Sequence, residues 1–419
     1  MTLHRKAAVL TVMHAADVLQ PLLVLPYAGI VLGPAAFGEY AFALALSQLS
    51  AVTVDYGFSL TARRAAAAAR NDLPAIRSLL AEVLVAKGIL CAGVGFVGLI
   101  GASLIPSITP SVFLCILLSA LGAMLFPSWL FLGLERVWHV TVAVVIARSL
   151  ALVAFLTLVQ APSDAGFGAA IQASIPLVAA FISLPFTLAI GLGGFASLTS
   201  RGILVQFRDG RSGFVSWLSH NAILSLPDPL VQLIGGFASV GQYSIAEKLI
   251  SATRPALMIM QQTFMPKVAY LASHDPERGL LLIWSSLWTI IIGVFLSLSL
   301  YFVGPYIIEF FFGPEYTDAI KLIRVLCVLP LIINIRICMA DLYMFNYGHE
   351  RAFALFTACG LIVFLTTLGI LSYWLDGATA VAFGAVAGEG FVALASTIFF
   401  FGSALARRRH VRAAEAVDA

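Results

Sequence analysis

Long apolar runs separated by short polar gaps dominate the chain, at 8–31, 39–61, 78–101, 108–132, 138–160, 168–192, 214–236, 242–270, 280–303, 319–345, 352–374 and 379–402. A helix of roughly 20 apolar residues spans the hydrocarbon layer of a bilayer. The pattern therefore predicts an all-α integral membrane protein of about twelve transmembrane helices. The gaps are not alike. Seventeen of the 24 Lys and Arg residues fall in alternate gaps: Arg5 and Lys6; Arg63, Arg64, Arg70 and Arg77; Arg136; Arg201, Arg208 and Arg211; Lys267 and Arg278; Arg351; and Arg407, Arg408, Arg409 and Arg412. The other gaps hold Glu39, Asp164, Glu309, Glu315, Asp318 and Asp376, with only Lys321 and Arg324 nearby. Basic loops mark the cytoplasmic side, so both termini are expected in the cytoplasm.

Composition agrees with that class: 61% of the 419 residues are hydrophobic and 11% charged, against about 25% charged in soluble domains. The first run follows Arg5 and Lys6 as a signal peptide would. It is too long for one, contains Asp17 and lacks a cleavage site, so it reads as a retained helix. Cys91, Cys115, Cys327, Cys338 and Cys359 show no ligand spacing and read as packing residues.

Sliding the chain against itself by 203 residues places Pro26, Gly33, Ala35, Gly38, Tyr40, Ala43 and Leu46 on Pro229, Gly236, Ala238, Gly241, Tyr243, Ala246 and Leu249. Both copies cover the end of an odd helix, a tight outer turn and the start of the next. The expectation is two six-helix lobes related by an axis along the membrane normal. Residues 1–192 form the first lobe, 193–213 a cytoplasmic linker, 214–402 the second lobe and 403–419 a basic tail.

Charges inside the runs change the picture most: Asp17, Asp55, Glu82, Lys87, Arg148, Asp228, Glu247, Lys248, Arg254, Arg336, Asp341 and Glu389. Each costs about 2.5–3.5 kcal/mol at a helix centre. Asp55, Glu82 and Asp341 lie near predicted ends, where interfacial or paired roles suffice. Lys87, Arg148 and Arg254 lie about 14 Å deep at 1.5 Å per residue. Lys87 and Glu82 are five apart and turned away from each other on an α-helix. Glu247 and Arg254 share a face two turns apart. Two readings stay open for the deep bases: pairing with acids on neighbouring helices, or lining a wet cavity between the lobes. In the second, Lys87, Arg148, Lys248 and Arg254, with Arg336 nearer the inner face, suit an anionic, phosphate-bearing cargo. His14 and Asp17, three apart, could bind a coupling proton or cation or merely fix helix one. Asp228 between Pro227 and Pro229 must kink or open its helix and could bind a cation. Glu389, between Gly388 and Gly390, could answer one of the arginines. No phosphate-binding loop, H-E-x-x-H or nucleophile elbow is present in the sequence. An ATP-driven pump in one chain is thereby excluded, no enzymatic group is evident, and no cofactor, metal or nucleic-acid partner is expected.

Three segments resemble a known family. Leu32 to Pro34, Phe37, Gly38 and Tyr40, then Asp55 to Phe58, then Arg63 and Arg64, are similar to the opening of the Wzx-type polysaccharide-unit flippases. Those belong to the multidrug, oligosaccharidyl-lipid and polysaccharide exporter superfamily. Phe310 to Leu326 and Gly348 to Phe353 are similar to its loops around helix ten. The resemblance implies two MATE-like six-helix lobes around a central cationic cavity. It also implies transfer of a polyprenyl-diphosphate-linked oligosaccharide to the periplasmic leaflet for O-antigen, capsule or exopolysaccharide assembly, with coupling to a proton or sodium gradient. A polymerase, glycosyltransferases and membrane lipids are the expected partners. Arg336 and Asp341 depart from the family pattern. The rival expectations are a multidrug antiporter of the same superfamily, a lipid-II-type flippase and a non-transporting scaffold.

Overall fold

In a computed structural model that describes residues 3–189 and 198–417, helices account for nearly all the chain. Among the described residues, nine helical runs are long and apolar enough to cross a membrane, from Thr11–Ala68 to Gly377–Ser403. The first is two helices. Helix α1 (Leu3–Asp55) is broken at Gly33, whose φ of 70° and ψ of 171° are confined in practice to glycine. Pro34 follows, with no N–H to carry the ladder across the break. Predicted spans one and two are its two arms. Spans seven and eight fall on α9 (Ser200–Ser225), α10 (Pro227–Ser251) and α11 (Arg254–His274), which lie outside those nine runs and carry Asp228, Glu247, Lys248 and Arg254.

The internal repeat has a backbone counterpart. Gly236, 203 residues after Gly33, breaks α10 with φ 76° and ψ −179°, the same conformation as its partner. The sequence predicts that Pro227 and Pro229 kink or open their helix, and the helix is interrupted at Leu226, between α9 and α10. The two prolines stand in the first turn of α10, just after α9 ends at Ser225, where a missing N–H costs nothing.

The molecule divides into two compact units, Met1–Gln232 with Gly236–Gly241, and Leu233–Gly235 with Gln242–Ala419. In the first, α2 (Phe58–Ala68), α3 (Leu73–Leu104) and α5 (Ser128–Gly133) bury Phe58, Ala62, Ile76, Val83 and Trp129 together. Ile203 and Phe207 of α9 pack on that cluster. The segment 193–213, expected as a linker, is thus helical from Ser200 onward, and α9 as a whole belongs to the first unit. Its apolar Ile203 and Phe207, four apart, supply the reason: they make one sticky face. In the second unit, Val268, Ile283 and Phe400 pack on a π-helical segment, Ile337–Met344, whose residues are all buried.

A candidate charged site in the membrane-spanning helices

Lys87 lies on α3 with its side chain only 3% exposed. Its Nζ stands 3.0 Å from Asp55 Oδ1 and donates at 3.0 Å to the carbonyl of Ala123 on α4 (Pro110–Leu125). That carbonyl needs a donor from outside its helix, because the residue four ahead is Pro127, which has no N–H. Asp55 also accepts from the hydroxyl of Ser59 across the joint at Tyr56 and Gly57, both with left-handed φ (47° and 80°). The Asp-x-Gly-Phe step therefore ends one helix, starts the next and holds a buried lysine. Glu82 is turned away, as the five-residue spacing predicts, and accepts from Gln206 Nε2 at 3.2 Å.

Arg148, on α6 (Val137–Leu158), has its Nε 2.8 Å from Asp17 Oδ1 and donates from Nη1 to Gln20 Oε1 at 3.2 Å. Gln20 in turn donates to Gln172 on α7 (Ala165–Ala173) at 2.8 Å. Asp17 and Gln20, three apart, thus both meet one arginine from the same face of α1. The His14 side chain lies outside the described residues, and Asp17 is engaged by Arg148.

In the second unit, one carboxylate serves two bases. Glu247 Oε2 is 2.9 Å from Lys248 Nζ, and Oε1 is 3.5 Å from Arg254 Nη2 and accepts from Ser251 Oγ. The two turns expected between Glu247 and Arg254 are spanned because the helix is interrupted at Ala252 and Thr253 and the arginine reaches back. Lys248 is 48% exposed and Arg254 28%, and the buried Nε of Arg254 has no hydrogen-bond partner. These three side chains sum formally to one positive charge. Asp228, half-buried, is placed in the first turn of α10.

Arg336 closes α15 (Leu329–Arg336), and its Nη1 lies 3.3 Å from Asp341 Oδ1 and its Nε 3.5 Å from Glu389 Oε2 on α17 (Gly377–Val417). Five residues separate Arg336 from Asp341, which would point apart on an α-helix. The π-helical turn from Ile337 repeats every fifth residue and brings them onto one face. Gln261 Nε2 donates to the other Asp341 oxygen at 3.1 Å. Glu389 does answer an arginine, as its place between two glycines predicts.

The structure thus brings each of the five candidate bases to an acid. Sequence reasoning missed the amides that complete the clusters, Gln20's partner Gln172 and Asp341's partner Gln261. Each stands in an apolar run, where a side-chain amide is itself a signal of a polar contact.

A model of the family described as polysaccharide biosynthesis protein matches residues 3–271. The "Putative O-antigen transporter" of Escherichia coli K12 is 26% identical over 377 residues, covering 87% of this chain and 89% of the relative. A Shigella dysenteriae protein of the same name is 26% identical over 368 residues, covering 87% and 92%. An inward-facing multidrug MATE transporter aligns with a TM-score of 0.73 at 14% identity, over 93% of this chain and 96% of that one. An outward-facing MATE transporter gives 0.60 at 15% identity, over 96% and 95%. Multi-pass helical architecture, a MATE fold and a family match over more than half its length together establish that the chain belongs to the polysaccharide biosynthesis protein family.

Proposed function

We propose that the protein is a flippase of the bacterial inner membrane, with both termini cytoplasmic. Its cargo is a polyprenyl-diphosphate-linked oligosaccharide, moved to the periplasmic leaflet for surface-polysaccharide assembly. A sugar chain with two phosphates cannot cross about 30 Å of hydrocarbon without replacing its lost hydration. Two six-helix lobes offering charge and hydrogen bonds from a central cavity, and opening to each side in turn, meet that need.

The observation that carries the reading is the trio of Glu247, Lys248 and Arg254. Two bases share one carboxylate, so the group keeps a formal positive charge, and both bases are partly exposed. Arginine meets phosphate through paired hydrogen bonds. Lys248 and Arg254 take the diphosphate, and Arg148 lies second in rank because Asp17 and Gln20 already occupy it. Lys87 leaves the cargo site, being held by Asp55 and Ala123. Glu389, Asp17 and Asp228 remain the groups through which a proton or sodium gradient would couple.

Arg254→Ala should abolish surface-polysaccharide export by the expressing strain at unchanged protein level in the membrane. Unchanged export would remove Arg254 from the mechanism. If a deletion strain instead becomes drug-sensitive with normal surface polymer, the cargo is a cationic drug and the reading fails.

A further inference from the structure

The first half of α9 presents two stripes of the same spacing, offset by two residues. Ile203, Gln206, Phe207 and Gly210 follow i, i+3, i+4 and i+7, and each meets the first compact unit. Ile203 and Phe207 pack on the cluster around Phe58 and Trp129, and Gln206 donates to Glu82. A Cβ added at Gly210 would stand 2.9 Å from the Tyr56 ring, a crowding that glycine avoids. Arg201, Leu204, Val205 and Arg208 follow the same spacing on the opposite side. All four are exposed, Leu204 at 69%, and exposed Arg211 lies three residues further along the same side.

The docked stripe fixes the depth of the exposed one. Phe207 rests against Tyr56 and Phe58, with ring centroids 5.5 and 6.2 Å apart, at the joint where the second predicted span (39–61) ends. Trp129 stands near the end of the fourth (108–132), and Glu82 near the start of the third (78–101). All three mark the membrane face whose loops are basic. At that level, bulk water would leave Leu204 and Val205 uncovered, and hydrocarbon would strand three guanidinium groups. The headgroup layer satisfies both: its acyl boundary covers the apolar pair, and its phosphates accept from the arginines.

Charge then selects among lipids. Across 58–72 and 200–211 the exposed side chains include six arginines, Arg63, Arg64, Arg70, Arg201, Arg208 and Arg211, against two aspartates, Asp72 and Asp209. A headgroup with net negative charge gains from that excess, and a zwitterionic one gains little. We infer that the stripe Arg201, Leu204, Val205 and Arg208, extended by Arg211, is a docking surface for anionic phospholipid. It lies on the leaflet that the basic loops face, which is the cytoplasmic one in the orientation proposed above. Such a surface is independent of what the protein carries.

Two measurements test it. The purified protein and an Arg201→Gln, Arg208→Gln, Arg211→Gln variant are placed in nanodiscs of phosphatidylcholine, or of an equal mixture with phosphatidylglycerol, and unfolded by heat. Phosphatidylglycerol should raise the unfolding temperature of the unaltered protein, and high salt should remove the rise. The variant should lose most of the rise. No rise in the unaltered protein, or an equal rise in both, overturns the surface. A variant that is less stable in phosphatidylcholine as well leaves the comparison intact, because only the increment is read. The second measurement places a fluorescent label at Leu204→Cys in a chain whose five native cysteines are replaced by alanine. Nitroxide-bearing phosphatidylglycerol should quench it about twofold or more better than nitroxide-bearing phosphatidylcholine. A label equally quenched by both lipids, or as open to a water-borne quencher as in the unfolded chain, overturns the surface; the second result would leave the face to a soluble protein partner.

Discussion

Replacing Lys87 by Met tests whether its charge serves the fold or the cargo. The side chain is 3% exposed and Asp55 19%. Removing one partner of a buried pair typically costs about 3–5 kcal/mol, because the other charge is stranded. The partial exposure of Asp55 argues for the lower end of that range. The Ala123 carbonyl also loses its donor, with Pro127 unable to replace it, at about 1–3 kcal/mol. A loss of about 4–6 kcal/mol is a large part of the 5–15 kcal/mol that holds a typical domain together. Lys87→Met should therefore lower the amount of folded protein in the membrane. The double variant K87M/D55N removes the stranded charge while keeping an acceptor for Ser59, so about 2 kcal/mol or more should return as a coupling energy. Denaturant unfolding of the purified protein in one detergent, followed by tryptophan fluorescence, gives all four corners of the cycle. A double variant no more stable than K87M alone would refute the reasoning. So would a K87M protein of normal stability that fails to export, since that is what a cargo contact predicts.

Two further substitutions probe the backbone. Ala at Gly33 or Gly236 forces a side chain into a conformation reserved for glycine, at about 1–3 kcal/mol each. Nothing lies within 4 Å of a Cβ at Gly236, so Gly236→Ala should show the conformational cost alone in the same unfolding assay, and a neutral result would deny the break. A Cβ at Gly202 would overlap the Glu82 carboxylate, so Gly202→Ala should drive Glu82 off Gln206 and cost about 1 kcal/mol. The same change made on a Glu82→Ala background should be neutral, and an equal loss in both backgrounds would show that another contact is responsible.

The helices are legible because each is an apolar run of bilayer length, and the repeat is legible because Gly33 and Gly236 are forced to glycine by the same backbone break. The pairings are not legible. Lys87 finds Asp55 32 residues away and Arg148 finds Asp17 131 residues away by sequence numbering. Such partners are set by which helix faces pack together, and a single sequence does not state that. The Arg336–Asp341 contact is hidden for a different reason: an α-helical repeat is the wrong one for that spacing, and only the π-turn makes five residues a neighbouring step. The first half of α9 reads as a linker because Arg201, Arg208 and Arg211 dominate it, while the two apolar residues that dock it, Ile203 and Phe207, are few.

Counting cations does not make a site for an anion. The twelve charged side chains singled out inside the spans are five bases and seven acids, so that set as a whole is not cationic. Lys87 with Asp55, and Arg148 with Asp17, each sum to zero, and Arg336 with Asp341 and Glu389 sums formally to one negative charge. Among these clusters, only Glu247 with Lys248 and Arg254 sums to a positive one. A buried pair gives up most of its field to its partner, so a diphosphate would gain little from the neutral clusters and would be repelled by the acidic one. Anion preference must then come from one locality. Neutralising Lys248 and Arg254 together with Glu247→Gln, so that no charge is stranded, should abolish export and leave stability nearly intact, whereas neutralising Lys87 alone should lower stability and reduce export only in proportion to the folded protein lost. If the two sets behave alike in both assays, the local-charge account is wrong and the cargo is held by hydrogen bonds instead.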